Sequence, residues 1–424
     1  ATTGIAQNNE GQDKTVDLGT QTTTELRKTQ AVSTIYSDEL DKNATTSPYN
    51  AIYGLLPGLT VMQNTSWGTD KSRLNVRGRG SLNGDTPLFV VDGFARPIEY
   101  INLSEIESIS VLKDGAATAL WGGRGANGVV LITTKRGMYS KKEIKVDYKF
   151  GLGLPVNQPE FADAYTYAKA RNEALRYDGL QPDMDEASFL AGGNRDLYPN
   201  VDWQKEALRN HTTSHQLDIT FRGGGKRLRY FSVLNYKNDM GLLNSKYTDY
   251  TDRYNSQMKK YFLNLRMNLD VDITDATKLK LNMLGMLRET KRPTTSEATL
   301  FEQIFNTPSA AFPVQTQNGL WGSNNVLKTN PIANLADVGY YKLNQRMLQA
   351  DLRLIQDLSV LTRGLSAELA IAYDNNATYQ ETAKKSFMYQ TIEKGTDGEP
   401  VYTNYGNPND ELEISNKGLA NQYI

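Results

Sequence analysis

Residues 263–271 read LNLRMNLDV. Leu263, Leu265, Met267, Leu269 and Val271 take every second position, and Asn264, Arg266, Asn268 and Asp270 fill the gaps. Successive side chains of a strand point to opposite faces, so the stretch predicts a strand with one apolar and one polar face. The same alternation places Ile144, Val146, Tyr148 and Phe150 against Lys145, Asp147 and Lys149. It recurs in Leu217, Ile219 and Phe221 against Gln216, Asp218, Thr220 and Arg222. Residues 227–237, 278–288, 347–356 and 365–374 are further candidates, which gives about seven strands in this half.

The connections between these strands switch between long and short. Residues 155–213 are long, 223–225 short, 238–259 long, 274–277 short, 289–346 long and 357–364 short, and a long polar segment closes the chain. Long links on one end and tight turns on the other are the pattern of an up-and-down outer-membrane barrel. A soluble β-rich binding protein with an accessory α/β domain also alternates along its strands, but has no reason to send every second loop to one side. The outward strand face separates the two readings, because a barrel in lipid shows an apolar band free of charge at its centre. The apolar face of 263–271 carries no charge, which favours lipid. An odd strand number does not suit a bacterial single-chain barrel. Enclosing a domain of the size found upstream takes on the order of 22 strands. Residues 138–424 are therefore expected to be the first part of a larger barrel, completed by a remaining segment or a second chain.

Composition narrows the classes further. The 424 residues carry a formal net charge of -1, against the basic excess of a nucleic-acid binder. Mean hydropathy is -0.54, which a barrel tolerates because only alternate strand positions are apolar. No apolar run reaches the ~18 residues of a membrane-crossing helix. The start, ATTGIAQNNEGQDK, has neither the basic region nor the apolar core of a signal peptide. Cysteine is absent, which removes disulfides, thiolate metal sites and Cys nucleophiles.

Upstream of the strand ladder, residues 1–15 are polar and read as a flexible arm. Residues 16–137 read as a compact α+β domain. Ser47 and Pro48 start a short helix over 49–56, stopped by Pro57-Gly58. Residues 59–62, 74–77, 88–92, 108–112 and 128–134 read as strands. An Ala-rich helix over 115–121 stops at Gly122-Gly123.

Four blocks in this domain carry a resemblance: AIYGLLPGLTV (51–61), LNVRGRGS (74–81), PLFVVDGF (87–94) and IESISVLKDGAATALWGGRGANGVVLITTKRG (106–137). In this order they resemble the plug of SusC/RagA-type TonB-dependent outer-membrane transporters of Bacteroidetes. LGTQTTTELRKTQAVSTI (18–35) is similar to the start of that plug, and the ladder after Lys141 to the start of the barrel. The family's usual N-terminal extension is not present, nor is most of its barrel. The resemblance implies an integral outer-membrane barrel with a periplasmic N-terminus, importing a glycan or peptide. It further implies a SusD-like surface lipoprotein over the outer loops and a TonB complex that pulls on the N-terminal arm. Lys14, Thr15, Val16, Asp17 and Leu18 stand where the family's TonB box falls, although KTVDL matches it weakly. No cofactor, metal or catalysis is implied.

The plug signature nominates Arg77, Gly78, Arg79, Gly80, Asp92, Gly93, Lys113, Asp114, Gly123, Arg124, Gly125, Asn127, Gly128 and Arg136. Its arginines are expected to form forked bonds to carboxylates on the barrel wall, against the plainer reading of solvated surface charge. Gly123, Gly125 and Gly128 spell G-x-G-x-x-G, but the order is helix, glycines, strand. That is the reverse of a dinucleotide fingerprint and points to tight backbone turns instead. His211 and His215 lie on a strand, where positions four apart are too distant to share an ion. Trp203, Trp321, Tyr340 and Tyr341, in the long links, are candidates for stacking on cargo or on a lid, or for holding the loops together. No nucleophile stands with a base, so no enzyme is expected.

Overall fold

The computed structural model describes residues 15–423, excepting 19–21, 25–26, 28, 41, 43–46, 64–71, 81–83, 140–141 and 408–410. The arm expected at 1–15 and the candidate Lys14 thus lie outside the described residues, Thr15 apart.

The N-terminal domain holds strands β1 (Thr15–Asp17), β2 (Thr22–Thr24), β3 (Val32–Tyr36), β4 (Leu59–Met62), β5 (Arg73–Val76), β6 (Leu88–Val91), β7 (Phe94–Ala95), β8 (Ile106–Leu112) and β9 (Val129–Thr134). Five of them form one sheet in the order β3-β8-β9-β6-β7. β9 is apolar along most of its length because both of its faces are covered. Ile35, Leu40, Ile52, Ile98, Ile109 and Ile132 pack into one cluster. Val16, Leu18, Val32, Leu112, Val129 and Leu131 pack into another. The helix expected over 49–56 is shorter, Pro48–Ala51, since Gly54 and Gly58 at φ +72° and +85° turn the chain before a second helical turn forms. The one expected over 115–121 is α-helical only at Gly115–Thr118 and tightens to a 3-10 helix over Ala119–Gly125.

Gly128 has φ +90°, and a Cβ there would lie 2.7 Å from Val76 Cβ. Left-handed backbone and close approach both demand glycine. Gly128→Ala is expected to destabilise the domain by about 1–3 kcal/mol, read from its denaturation midpoint.

The rest of the chain is built on an eight-stranded antiparallel sheet whose long links carry helices and a separate three-stranded sheet. In chain order the strands are β10 (Glu143–Gly153), β11 (Thr212–Gly224), β12 (Leu228–Met240), β13 (Lys259–Asp272), β14 (Thr277–Pro293), β15 (Trp321–Ser323), β16 (Gly339–Asp357), β17 (Ser366–Lys384), β18 (Met388–Lys394), β19 (Pro400–Gly406) and β20 (Glu413–Tyr423). The wall runs β10-β11-β12-β13-β14-β16-β17-β20, and among the described residues it is open, with β10 and β20 at its edges. Among the described residues it has eight strands, one more than the candidates read from the sequence. β20 escaped because EISNKGLANQY mixes polar and apolar residues on both faces, so it lacks period two. The closing segment expected to be a loop instead holds the β18–β19 hairpin as well as β20. Links 225–227, 273–276 and 358–365 are tight, whereas 154–211, 241–258, 294–338 and 385–412 are long, so every long link leaves the same end of the sheet.

Alternation fixes the faces. Ile144, Val146, Phe150, Leu263, Leu265, Leu287, Leu348, Leu369 and Ile371 are exposed on the outside. Asn235, Asn264, Arg266, Asn268, Asn282 and Asp351 are buried on the inside, against the N-terminal domain.

Candidate functional site

The two parts of the molecule meet along a buried polar seam, and its deepest contact starts with a helix cap. Asn102 accepts the Ser104 N–H, and Glu105 reaches back to the Asn102 N–H at 3.2 Å, a capping box over the 3-10 turn Leu103–Glu105. The cap fixes the Glu105 carboxylate so that it faces β13. There Asn264 and Arg266, two positions apart on the inner face, donate to it at 2.6 Å each. The side chains of Glu105 and Arg266 are 0% and 2% exposed. Burial pushes the Glu105 carboxyl above its ordinary value, while Arg266, the Asn102 amide and Asn264 draw it back down.

A second ion cluster lies at the other end of the domain's sheet. Arg96, just past β7, donates to Asp351 on β16 at 2.5 Å and to Asp374 on β17 at 2.8 Å. The guanidinium also lies over the Phe94 ring. Its planar fork serves two strands at once, a geometry an ammonium lacks.

Hydrogen bonds from asparagine and arginine side chains fill the space between. Asn235 donates to Ser104 Oγ and Asp218 at 2.8 Å each. Asn268 donates to Thr134 Oγ1 and to the Lys135 carbonyl. Arg288 and Arg353 cap the Glu99 and Asp92 carbonyls. One apolar patch interrupts the seam, where Tyr100 packs on Leu284, Met286 and Met347.

Of the nominated arginines, only Arg136 reaches the wall, pairing with Asp270 at 3.1 Å. Arg79 instead binds Asp85 within its own domain, beside Arg73. Among the described residues no hydrogen bond or ion pair joins Arg77, Arg79 or Arg124 to the wall. Arg124 lines a cleft of about 540 Å³ with Tyr49 and Phe89. The wall contact expected of these three falls to Arg96 because it lies beyond β7, at the sheet edge that faces β16 and β17.

The other signature residues shape the domain itself. Arg77-Gly78 and Asp92-Gly93 are consecutive positive-φ pairs; the first bends the chain after β5 and the second turns it from β6 into β7. Asp92 holds the Thr134 N–H and hydroxyl. Lys113 binds Ser33 Oγ and the Pro57 carbonyl, and Asn127 the Gly84 carbonyl. At Gly125 a Cβ would crowd Trp121 and Thr118, whereas at Gly80 and Gly123 it would meet open space. Thr15, Val16 and Asp17 form β1 with β2, and Val16 and Leu18 are buried in the domain core.

Asp114 caps the helix Gly115–Thr118, accepting from Ala117 at 2.7 Å, and clamps the Ala31 N–H at 2.8 Å. Those two amides hold its carboxyl below the usual range. A carboxyl depressed in the folded state stabilises above its unfolded value of about 4, and that contribution is lost as pH falls through the folded value. Asp114→Asn keeps the cap but does not titrate. The stability gap between wild type and Asp114→Asn is therefore expected to close below about pH 4, read from denaturation midpoints against pH.

The loop aromatics divide. Trp203 and Trp321 are both 3% exposed and build the loop core with Phe312, Ile332 and Leu335. Their N–H groups bond the Pro308 carbonyl and Asp337. They hold the loops together and offer no stacking face. Tyr340 donates to Glu381, and Tyr341 lies under the Arg292 guanidinium at 4.1 Å. His215 lies between Tyr148 and Phe150 on the outer face, bonded to the Tyr148 hydroxyl.

Residues 24–129 match the TonB-dependent Receptor Plug Domain family. The chain is 30% identical to SusC of Bacteroides thetaiotaomicron over 247 residues, 54% of this chain and 23% of that one. The structure of the RagAB peptide importer in its open-open state superposes over 96% of this chain and 53% of its own, with TM-score 0.70 and 18% identity. The chain thus resembles SusC/RagA-like TonB-dependent receptors in sequence and fold. A TonB-dependent receptor of Formosa agariphila is 28% identical over 271 residues, 62% of this chain and 25% of that one. The chain thus spans about a quarter of the length of the curated relatives it matches. In these terms the N-terminal domain is the plug, the eight-stranded sheet is a partial barrel wall, and the seam is where the plug sits in it.

Proposed function

We propose that this protein acts in TonB-dependent import of a nutrient, a glycan or a peptide, across the outer membrane, with the plug gating the barrel lumen. The observation that carries this reading is the seam. Two buried charge clusters and a row of asparagines hold the plug to a wall whose opposite face is apolar and exposed. A soluble binding protein would leave that outer band of Leu, Ile and Phe uncovered. The long links fall at the outer surface, where a SusD-like lipoprotein delivers cargo, and the N-terminus lies in the periplasm, where TonB pulls. Val16 and Leu18, packed in the plug core, join the pulled segment directly to the sheet. Polar contacts suit a plug that must loosen, because each bond broken is replaced by one to water. The proposed role is transport, without chemistry on the cargo.

The test is a tether. The chain has no cysteine, and Asn235 Nδ2 lies 2.8 Å from Ser104 Oγ. A Ser104→Cys/Asn235→Cys pair in the full-length protein is expected to abolish energised uptake of labelled cargo when oxidised and to restore it on reduction. Unchanged uptake through the oxidised, cross-linked protein refutes plug gating.

A further inference from the structure

We propose that the outer face of the wall carries a site for an anionic, phosphate-bearing lipid. Arg346 would hold the head group, and a groove at Gly285 would take an acyl chain. The proposal rests on the membrane reading above.

Register puts the participants side by side. Leu265 pairs with Gly285, which pairs with Leu348; one step toward the long links, Leu263 pairs with Leu287, which pairs with Arg346. Across β13, β14 and β16 these two rows are leucine and glycine except for Arg346. The next step outward holds Tyr261, Glu289, Asn344 and Tyr379, the aromatic and polar mixture of a membrane–water interface. Arg346 therefore stands in the last apolar row beneath the head groups, on the side of the long links. A guanidinium at hydrocarbon depth needs a partner or a route to polar groups. The neighbouring outward carboxylate, Glu289, is already engaged by Lys291 at 3.2 Å and Lys342 at 3.4 Å. Arg346 is exposed, and among the described residues its guanidinium makes no hydrogen bond or ion pair.

The second observation is the groove beside it. A Cβ at Gly285 would meet no atom within 4 Å. The missing side chain opens a trough of about 390 Å³ lined chiefly by Leu234, Leu263, Leu265, Leu287 and Leu348, with Arg346 and Asn375 as its polar lining residues. A neutral lipid would fill the trough and leave the cation without an anion. A water-soluble phosphate would satisfy the cation and leave the leucines bare. An amphiphile with acyl chains next to a phosphate meets both demands, since the guanidinium fork matches phosphate oxygens.

The test uses the full-length protein in phosphatidylcholine nanodiscs doped with lipid A or with its dephosphorylated form, with retained lipid counted by native mass spectrometry. Wild type is expected to retain lipid A. Arg346→Gln removes the charge and is expected to weaken retention about tenfold. Gly285→Leu, which fills the trough and leaves Arg346 in place, is expected to weaken it similarly, and Arg346→Lys to recover part of it. Dephosphorylated lipid should be retained equally by wild type and Arg346→Gln. Heat-modifiable gel mobility checks that each variant is folded, and both positions lie away from the plug seam. Equal retention of lipid A by wild type, Arg346→Gln and Gly285→Leu overturns the lipid site alone. A protein recovered from cells in the aqueous fraction without detergent overturns the membrane reading, and the site with it.

Discussion

Glu105→Ala is expected to destabilise the seated plug by about 3–5 kcal/mol. The cause is less the lost attraction than what remains. Arg266 is 2% exposed and bonds Glu105 through Nε at 2.6 Å, so removing the carboxylate strands a guanidinium where water does not reach. The same change removes one half of the capping box over Leu103–Glu105 and takes from Asn264 the shorter of its two hydrogen bonds, leaving the one to the Tyr100 carbonyl at 3.3 Å. The double variant Glu105→Leu/Arg266→Met deletes both charges and keeps the volume. Buried pairs replaced by packed apolar groups often cost nothing, so the double variant is expected to be far closer to wild type than Glu105→Ala. The measurement is urea-dependent proteolysis of the plug in the full-length protein. A loss below about 1 kcal/mol for Glu105→Ala would show that water enters the seam and that the pair is solvated.

Arg96→Ala is expected to have a comparable effect, about 3 kcal/mol or more, by leaving Asp351 and Asp374 facing each other without a cation. The Asp351 side chain is 2% exposed, and its other oxygen already accepts from Asn282 at 2.7 Å, so it has no route to solvent. Arg96→Lys is expected to recover only part of the loss, because a point charge bonds one carboxylate well and not both. Removing the repulsion with Asp351→Asn/Asp374→Asn in the Arg96→Ala background should return stability toward wild type. The same proteolysis assay reads all of these variants. If Arg96→Ala is as stable as wild type, the plug is not held at this edge.

The cores of the elements were legible in the sequence for a local reason. Period-two alternation in 263–271 places Asn264 and Arg266 on one face whatever they touch, and the switch between long and tight links assigns an end to each loop. Glycine turns were legible too, since Gly128 occupies a backbone conformation that other residues adopt only under strain. β20 was not legible, because its pairing with β17 is made by backbone hydrogen bonds and needs no apolar face. The loop core was hidden for a related reason. Trp203 and Trp321 look like surface anchors until helices and turns from three long links close over them.

What the sequence by itself determined is the division into a glycine-rich plug and an alternating wall, together with the faces of the wall strands. What only the tertiary structure decided is which charges meet. Glu105 and Arg266 are 161 residues apart, and Arg96 lies 255 from Asp351 and 278 from Asp374. Arg124 and Arg96 are the same residue type in the same domain, yet one lines a cleft and the other bridges two strands of the wall. Facing and turn conformation are set by a residue's own backbone and its chain neighbours. An ion pair is set by where the packed sheet edge brings two distant side chains together, and no local pattern encodes that distance.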